Sequence, residues 1–168
     1  MSAPRGTGDV DAAPVRVRAA GAADHESAGA LRWAWIVEED GRSSAMSRAV
    51  FIAEFAAWAQ AHSATHRCFV AEADAEVVGM AWLAVTDRVP SPRALQRRTA
   101  DLQSVYVLPA FRGRGVGTRL IEAAVDAASR EGAERLVVHS SPGAVSAYAR
   151  AGLQASELLR SRALHPVE

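Results

Sequence analysis

The sequence contains no lysine: its 19 basic residues are all arginine. A P-loop nucleotide site needs a lysine on the phosphates and a Schiff-base enzyme needs a lysine amine, so both chemistries are excluded. Cys68 is the only cysteine, which rules out an internal disulfide and a cysteine-built zinc site. An excess of either charge is also missing, because 19 acids balance the arginines and the net charge is zero. A protein that chiefly neutralises nucleic-acid phosphates would carry a basic excess, so no nucleic-acid partner is expected. No apolar run has the length of a membrane span, and the first fourteen residues hold no stretch of signal-peptide character. The expectations are no membrane association and a cytoplasmic location. Bulky apolar residues are scarce as well: 37 residues of the 49% apolar fraction are alanine, and Leu, Ile, Val and Phe together number 36. Disordered chains combine such scarcity with high net charge, which is absent here, so one folded domain is expected.

What is present divides by periodicity. Residues 1 to 14 are small and punctuated by Pro and Gly, an unstructured lead-in that leaves a domain over 15–168. Val15 and Val17 alternate with Arg16 and Arg18 as in a half-buried strand. Asp24 stands at an N-cap position, and Ala28, Leu31 and Trp35 space as a helix to about Val37. Ser43 or Ser44 can cap a second helix with Met46, Val50, Ala53 and Ala57 on one stripe and Phe51, Phe55 and Trp58 beside it. Strands are predicted over 68–74, 76–89 and 99–109, the first two joined by a tight antiparallel hairpin at Asp74 and Ala75. From Thr118, Leu120, Ile121, Ala124, Val125 and Ala128 share a helical face that Gly132 closes. A strand within 134–140, a helix from Ser141-Pro142 to Gly152 and a last strand within 154–164 complete a mixed α/β fold.

The most informative segment is Val105-Tyr106-Val107-Leu108-Pro109 followed by Arg112-Gly113-Arg114-Gly115-Val116-Gly117-Thr118 and the amphipathic helix. A strand, a glycine turn and a helix in that order aim unpaired backbone N–H groups at one point, with the positive end of the helix dipole behind them. Such a turn binds an anion, and each charge-assisted hydrogen bond contributes roughly 1.5–3 kcal/mol. The glycines also read as a simple flexible turn. They do not read as a dinucleotide fingerprint, because the third glycine falls one residue early and several strands precede the segment.

This segment resembles the acyl-CoA-binding motif of the GCN5-related N-acetyltransferase superfamily, Gln/Arg-x-x-Gly-x-Gly/Ala, with Arg112, Gly115 and Gly117 in register. The order of elements over about 15–164 is similar to that family's, and so is Ala144 to Leu153, with Tyr148 four residues before Gly152. Leu153 replaces the family's usual phenylalanine, and Ser141 stands where asparagine is common. The resemblance implies a mostly antiparallel sheet flanked by helices and splayed between its fourth and fifth strands. It also implies acetyl-CoA as acyl donor, with the diphosphate on the amides from Arg112 to Thr118, Ser141 nearby, and the pantetheine arm along Val105, Tyr106 and Val107. Members often form homodimers. The implied activity is acetyl transfer to a primary amine of a small molecule or a peptide. Alternatives are a non-catalytic acyl-CoA sensor or partner-binding module, and a toxin that acetylates aminoacyl-tRNA.

The chemistry asks for an amine deprotonated, an oxyanion stabilised and a thiolate protonated. By position in the resembled family, Tyr148 is the general acid, and the Val107 amide is assigned to the oxyanion. Asp101 is a candidate base on a strand face expected to hold Gln103, Val105 and Val107 too. Glu38 and Glu39 are its rivals, at a turn where the acceptor pocket is expected, and any of the three also reads as a solvated acid. Trp33 and Trp82 either line that pocket or belong to the core, where Trp35 is placed by helical spacing. The five histidines lack metal-ligand spacing, so no metal is expected, and Cys68 has no paired histidine. Direct attack in a ternary complex is therefore expected rather than an acyl-cysteine.

Overall fold

The computed structural model describes residues 14–162 and 164. All of the expected lead-in except Pro14 lies outside the described residues. Five strands form one sheet in the order β1-β2-β3-β4-β5: β1 (Arg16–Ala19), β2 (His66–Ala73), β3 (Glu76–Asp87), β4 (Arg98–Val107) and β5 (Ala133–Val138). The first four are mutually antiparallel, and β5 runs parallel to β4. Helices α1 (His25–Trp33), extended by a π-helical segment Ala34–Glu39, and α2 (Arg48–Ala61) cover one face. Helices α3 (Val116–Arg130) and α4 (Val145–Arg150) cover the other.

The two faces have separate cores. Phe69, Leu83, Leu102, Val116, Leu120 and Ile121 fill the α3 side, whereas Leu31, Val70, Met80, Trp82 and Tyr106 fill the α1 and α2 side. Each buried Leu or Ile contributes roughly 1.5–3 kcal/mol, so the small number of bulky residues suffices because it is concentrated here. Alanine completes the contact, with Ala71, Ala81, Ala100 and Ala124 fully buried.

The β2–β3 hairpin turns where it was expected, with Asp74 at φ 49° and Ala75 at φ 65°. Both central residues of this turn need positive φ, which aspartate tolerates and alanine does not. The left-handed conformation costs an alanine roughly 1–2 kcal/mol, and glycine's extra freedom in the unfolded chain returns roughly 0.4–1 kcal/mol of that. Ala75→Gly is therefore expected to stabilise the fold by about 0.5–1 kcal/mol. A urea midpoint that moved down, at unchanged slope, would contradict this.

Three expectations need correction. Helix α2 begins at Arg48, and its cap is Ser47, whose hydroxyl accepts from the Val50 N–H at 3.4 Å. Ser44 is occupied by the Met46 backbone, and Ser43 also lies ahead of the helix. Asp24 precedes α1 but does not cap it, because its carboxylate takes two hydrogen bonds from Arg18, at 2.7 and 2.9 Å, and one from the Gly21 N–H at 2.7 Å. No strand forms among the described residues after α4, where Leu158 and Leu159 are exposed. No helix among the described residues is long and apolar enough to cross a membrane.

Candidate functional site

The site begins with one residue too many in β4. Trp82 faces Ser104 and Leu83 faces Leu102, so Gln103 is an extra residue between them, a β-bulge. Pairing between β4 and β5 stops at the same level, at Leu102 with Val138. From Gln103 to Val107 the outer edge of β4 therefore runs without a partner strand. The Leu108 N–H donates to the Val78 carbonyl at 2.9 Å, which sets the antiparallel alternation. Tyr106 bonds inward to β3, while Val105 and Val107 turn their N–H and C=O groups into the gap. The sheet splays between its fourth and fifth strands, as expected.

The bulge also overturns one face assignment. Ala100 and Leu102 lie in the α3 core, and after the extra residue Val105 and Val107 pack on that side as well. Asp101 is thereby placed on the opposite face, with Ser104 and Tyr106, and does not share a face with Val105 and Val107. It accepts from Gln103 Nε2 at 3.4 Å. The signal was in the sequence: Gln103 and Ser104 are consecutive polar residues that interrupt the alternation of apolar ones.

Beyond β4 the chain turns at Pro109–Phe111 and enters the glycine turn. Gly113 and Gly115 have φ of 73° and 72°, and a Cβ at either would meet nothing within 4 Å. They supply a left-handed backbone with open space in front of it. Gly115 caps α3 without a side chain, and Arg119 N–H bonds the Gly115 carbonyl at 3.1 Å. The amides of Val116, Gly117 and Thr118 have no carbonyl one turn back to receive them. The Val116 side chain is buried in the α3 core, so its contribution to the turn is its amide. This is a concentration of donors at the positive end of a 15-residue helix.

Arg112 is placed differently from the motif's implication. Its Nε donates to the Val107 carbonyl at 2.9 Å, and its two terminal nitrogens grip both Glu39 oxygens at 2.8 and 2.7 Å. Its backbone N–H goes to Pro109. Tyr106 donates its hydroxyl to Glu39 at 3.0 Å and lies under the Arg112 guanidinium, 5.4 Å from the ring centroid. Glu39 thus clamps the π-helical segment to the glycine turn, and its carboxylate is not offered to an acceptor. The Arg112 hydrogen bonds hold the Glu39 carboxyl below its ordinary range. Burial and then Glu39 push the Tyr106 phenol up to about 12. The acid's contribution is fully present above the unfolded carboxylate value, near pH 4.3, and is lost as pH falls through the lowered one. The phenol's is complete below about pH 10 and is lost as pH rises through about 12. The clamp is closed throughout the neutral range.

On the far side of the gap, Tyr148 packs into the α3 core from the middle of α4. Its position is fixed by the helix end: Leu153 N–H bonds the Tyr148 carbonyl at 3.0 Å, Gly152 N–H bonds Ala149 at 3.0 Å, and Gly152 has φ 82°. This is the paired-bond ending that favours glycine, and Leu153 packs against the same core as Tyr148. Burial raises the Tyr148 phenol, so it holds its proton at neutral pH and can donate a hydrogen bond. Ser141 lies exposed after β5, at the start of the turn into α4.

The other face of β4 carries cavities. One of about 340 Å³ is bounded by Arg32, the aromatic residues Phe55, Trp58 and Trp82, and the bulge residues Gln103 and Ser104. A neighbour of about 300 Å³ includes Trp33 and Arg42. Trp33 and Trp82, both expected near an acceptor, do line this region, although Trp82 is also a core residue at 5% exposure. Glu38 points to solvent and pairs loosely with Arg48 at 3.8 Å. His66, overlooked in the sequence, is half-buried, and burial together with His62 pulls it below the usual histidine value. Cys68 is buried, which pushes its thiol well up and disfavours the thiolate.

Comparison with known proteins agrees with this geometry. A family model for the acetyltransferase (GNAT) family matches residues 28–153. Over 68 residues the chain is 35% identical to an uncharacterized N-acetyltransferase of Methanocaldococcus jannaschii, a stretch that is 39% of this chain and 30% of that protein. A predicted acetyltransferase of Clostridium acetobutylicum, solved with acetyl-CoA, superposes with a TM-score of 0.72 at 18% identity, over 90% of this chain and 97% of that one. Glucosamine-6-phosphate N-acetyltransferase of Arabidopsis thaliana superposes at 0.68 with 13% identity, over 90% and 99% of the two chains. At these identities the superpositions speak for the fold.

Proposed function

Because the chain belongs to the acetyltransferase (GNAT) family, we propose that it transfers acetyl from acetyl-CoA to a primary amine of a small molecule or peptide, both substrates being bound together. The observation that carries this reading is the unpaired edge of β4 running directly into the glycine turn. The residues fit the donor chemically: amides of a helix N-terminus suit a diphosphate, and the outward groups of Val105 and Val107 suit the amides of a pantetheine arm. Acetyl-CoA supplies an activated acyl thioester when bound.

The chain's own residues divide the remaining tasks. The thioester lies at the end of the arm remote from the diphosphate, so the amide farther from the glycine turn is the better oxyanion donor. That is Val105, two residues along β4 from Val107. A preorganised N–H there is worth roughly 3–4 kcal/mol. Tyr148 serves the departing sulfur from the α4 side. On the opposite face Asp101, held by Gln103, accepts the amine's proton. An alkylamine of pKa near 10.4 must lose about 3.4 units' worth of proton affinity at pH 7, roughly 4.6 kcal/mol, which is what a base there offsets.

The test is free-thiol release from acetyl-CoA across a panel of amines. The chain has no lysine, so none of its own side-chain amines can generate a background. Turnover with at least one amine is expected. Tight coenzyme A binding with no thiol release from any amine would indicate a sensor instead. In the same assay Asp101→Asn should slow the reaction most near neutral pH and approach the parent rate as pH nears the amine's own pKa. Parallel pH profiles would remove Asp101 from the base role.

A further inference from the structure

Arg32, near the end of α1, holds a half-buried guanidinium with no ion pair among the described residues. Of its five N–H donors, one goes to Ser104 Oγ at 3.2 Å, and one flat face rests on Trp35, Cζ lying 4.9 Å from the ring centroid. Arg32 borders both cavities on the acceptor face. Arg42 stands at the second cavity, also without an ion pair among the described residues, and adds positive charge there. Burial drives the Arg32 guanidinium below its ordinary value; Asp40 opposes that shift and Arg42 reinforces it. A cation half withdrawn from water, with Asp40 near it but no carboxylate in ion-pair contact among the described residues, is the arrangement of an anion receptor.

The rest of the cavity narrows the ligand. Phe51, Phe55, Trp58 and Trp82 form a continuous aromatic wall, with ring centroids 5.4 to 6.1 Å apart. Trp82 Nε1 is buried there without a hydrogen-bond partner among the described residues. Gln103 and Ser104 stand where the cavity meets the start of the β4 gap. A ligand that satisfies all three regions carries an anionic group, a bulky apolar body and an amine that reaches the bulge. The planar fork of Arg32 matches the two oxygens of a carboxylate, the anion that an amine-bearing acceptor with an apolar body carries beside its amine.

We propose that the acceptor is an amino acid, or an amine built like one, with a bulky apolar side chain, and that Arg32 receives its carboxylate. This rests on the transferase reading above and names its substrate class. Matched pairs test it: L-phenylalanine against 2-phenylethylamine, L-leucine against 3-methylbutylamine, and an aminoalkyl phosphate of similar length. In the parent protein the amino acids are expected to have a KM at least tenfold lower than their decarboxylated partners. Arg32→Gln should raise KM for the amino acids tenfold or more and leave the plain amines unchanged. Arg42→Gln, at an exposed position that does not put folding at risk, should raise it severalfold with the same selectivity. Equal use of both members of a pair, equal loss of both in Arg32→Gln, or preference for the phosphate would overturn the proposal. Calorimetric titration of L-phenylalanine and 2-phenylethylamine into the coenzyme A complex decides the carboxylate site independently of turnover. Selective binding of the amino acid without thiol release would sink the transferase reading and keep the anion site, and equal or absent binding of both would sink the site itself.

Discussion

Gly117→Asp should abolish coenzyme A binding while leaving the protein about as stable as before. Gly117 is the second residue of α3, its φ is not left-handed, and the nearest atom to an added Cβ is Val107 Cγ2 at 3.9 Å. Nothing must move to admit the side chain. A carboxylate in the first turn of a helix is favourable to the fold by roughly 0.3–1 kcal/mol, so the apo protein gains if it changes at all. The same carboxylate repels a diphosphate and occupies the amides that would hold it. Losing two charge-assisted hydrogen bonds of roughly 1.5–3 kcal/mol each weakens binding by about a hundredfold or more. Calorimetry with coenzyme A, beside a thermal melt, separates the two effects. Retained micromolar affinity would place the diphosphate elsewhere. The equivalent change at Gly115 is less informative, because φ of 72° there would strain any replacement and mix folding with binding.

Tyr148→Phe is expected to lower kcat by about a hundredfold, at the low end for a positioned acid, with coenzyme A affinity nearly unchanged. The ring is what fills the α3 core, and phenylalanine keeps it, so the substitution removes only the hydroxyl. The Schellman-type ending at Gly152 and Leu153 holds the backbone independently of that oxygen. A kcat equal to the parent's would reduce Tyr148 to packing, and a loss of cofactor affinity as large as the loss of rate would mean that it binds rather than protonates.

The parts of this molecule that were legible in its sequence are those where local chemistry and tertiary structure agree. The Asp74-Ala75 hairpin, the stripe of α3 and the glycines after α3 and α4 fall where periodicity and turn chemistry put them. The glycine turn was legible for the same reason: the left-handed backbone at Gly113 and Gly115 falls where the glycines between a strand and a helix put it. The partition of side chains between the two faces was not, because period-two counting along β4 assumes that no residue is skipped, and Gln103 is. Arg112 and Glu39 were assigned to separate ligands, and the structure spends them on each other across 73 positions of sequence. Arg32 carried no signal at all in the chain, because an arginine on a helix is ordinarily a solvated one, and its burial is created by Trp35, Ser104 and α2.

The bulge leaves a mark on how this stretch of gene can change. Gln103 is exposed and no core contact depends on its side chain, so several other residues would serve as well for folding. Losing the codon is another matter. With one residue fewer, alternation would run unbroken from Leu102 through Ser104 to Val107 with every side chain on its present face, but the kink at which β4 parts from β5 would be gone. At this position inheritance has to conserve a count before it conserves a letter.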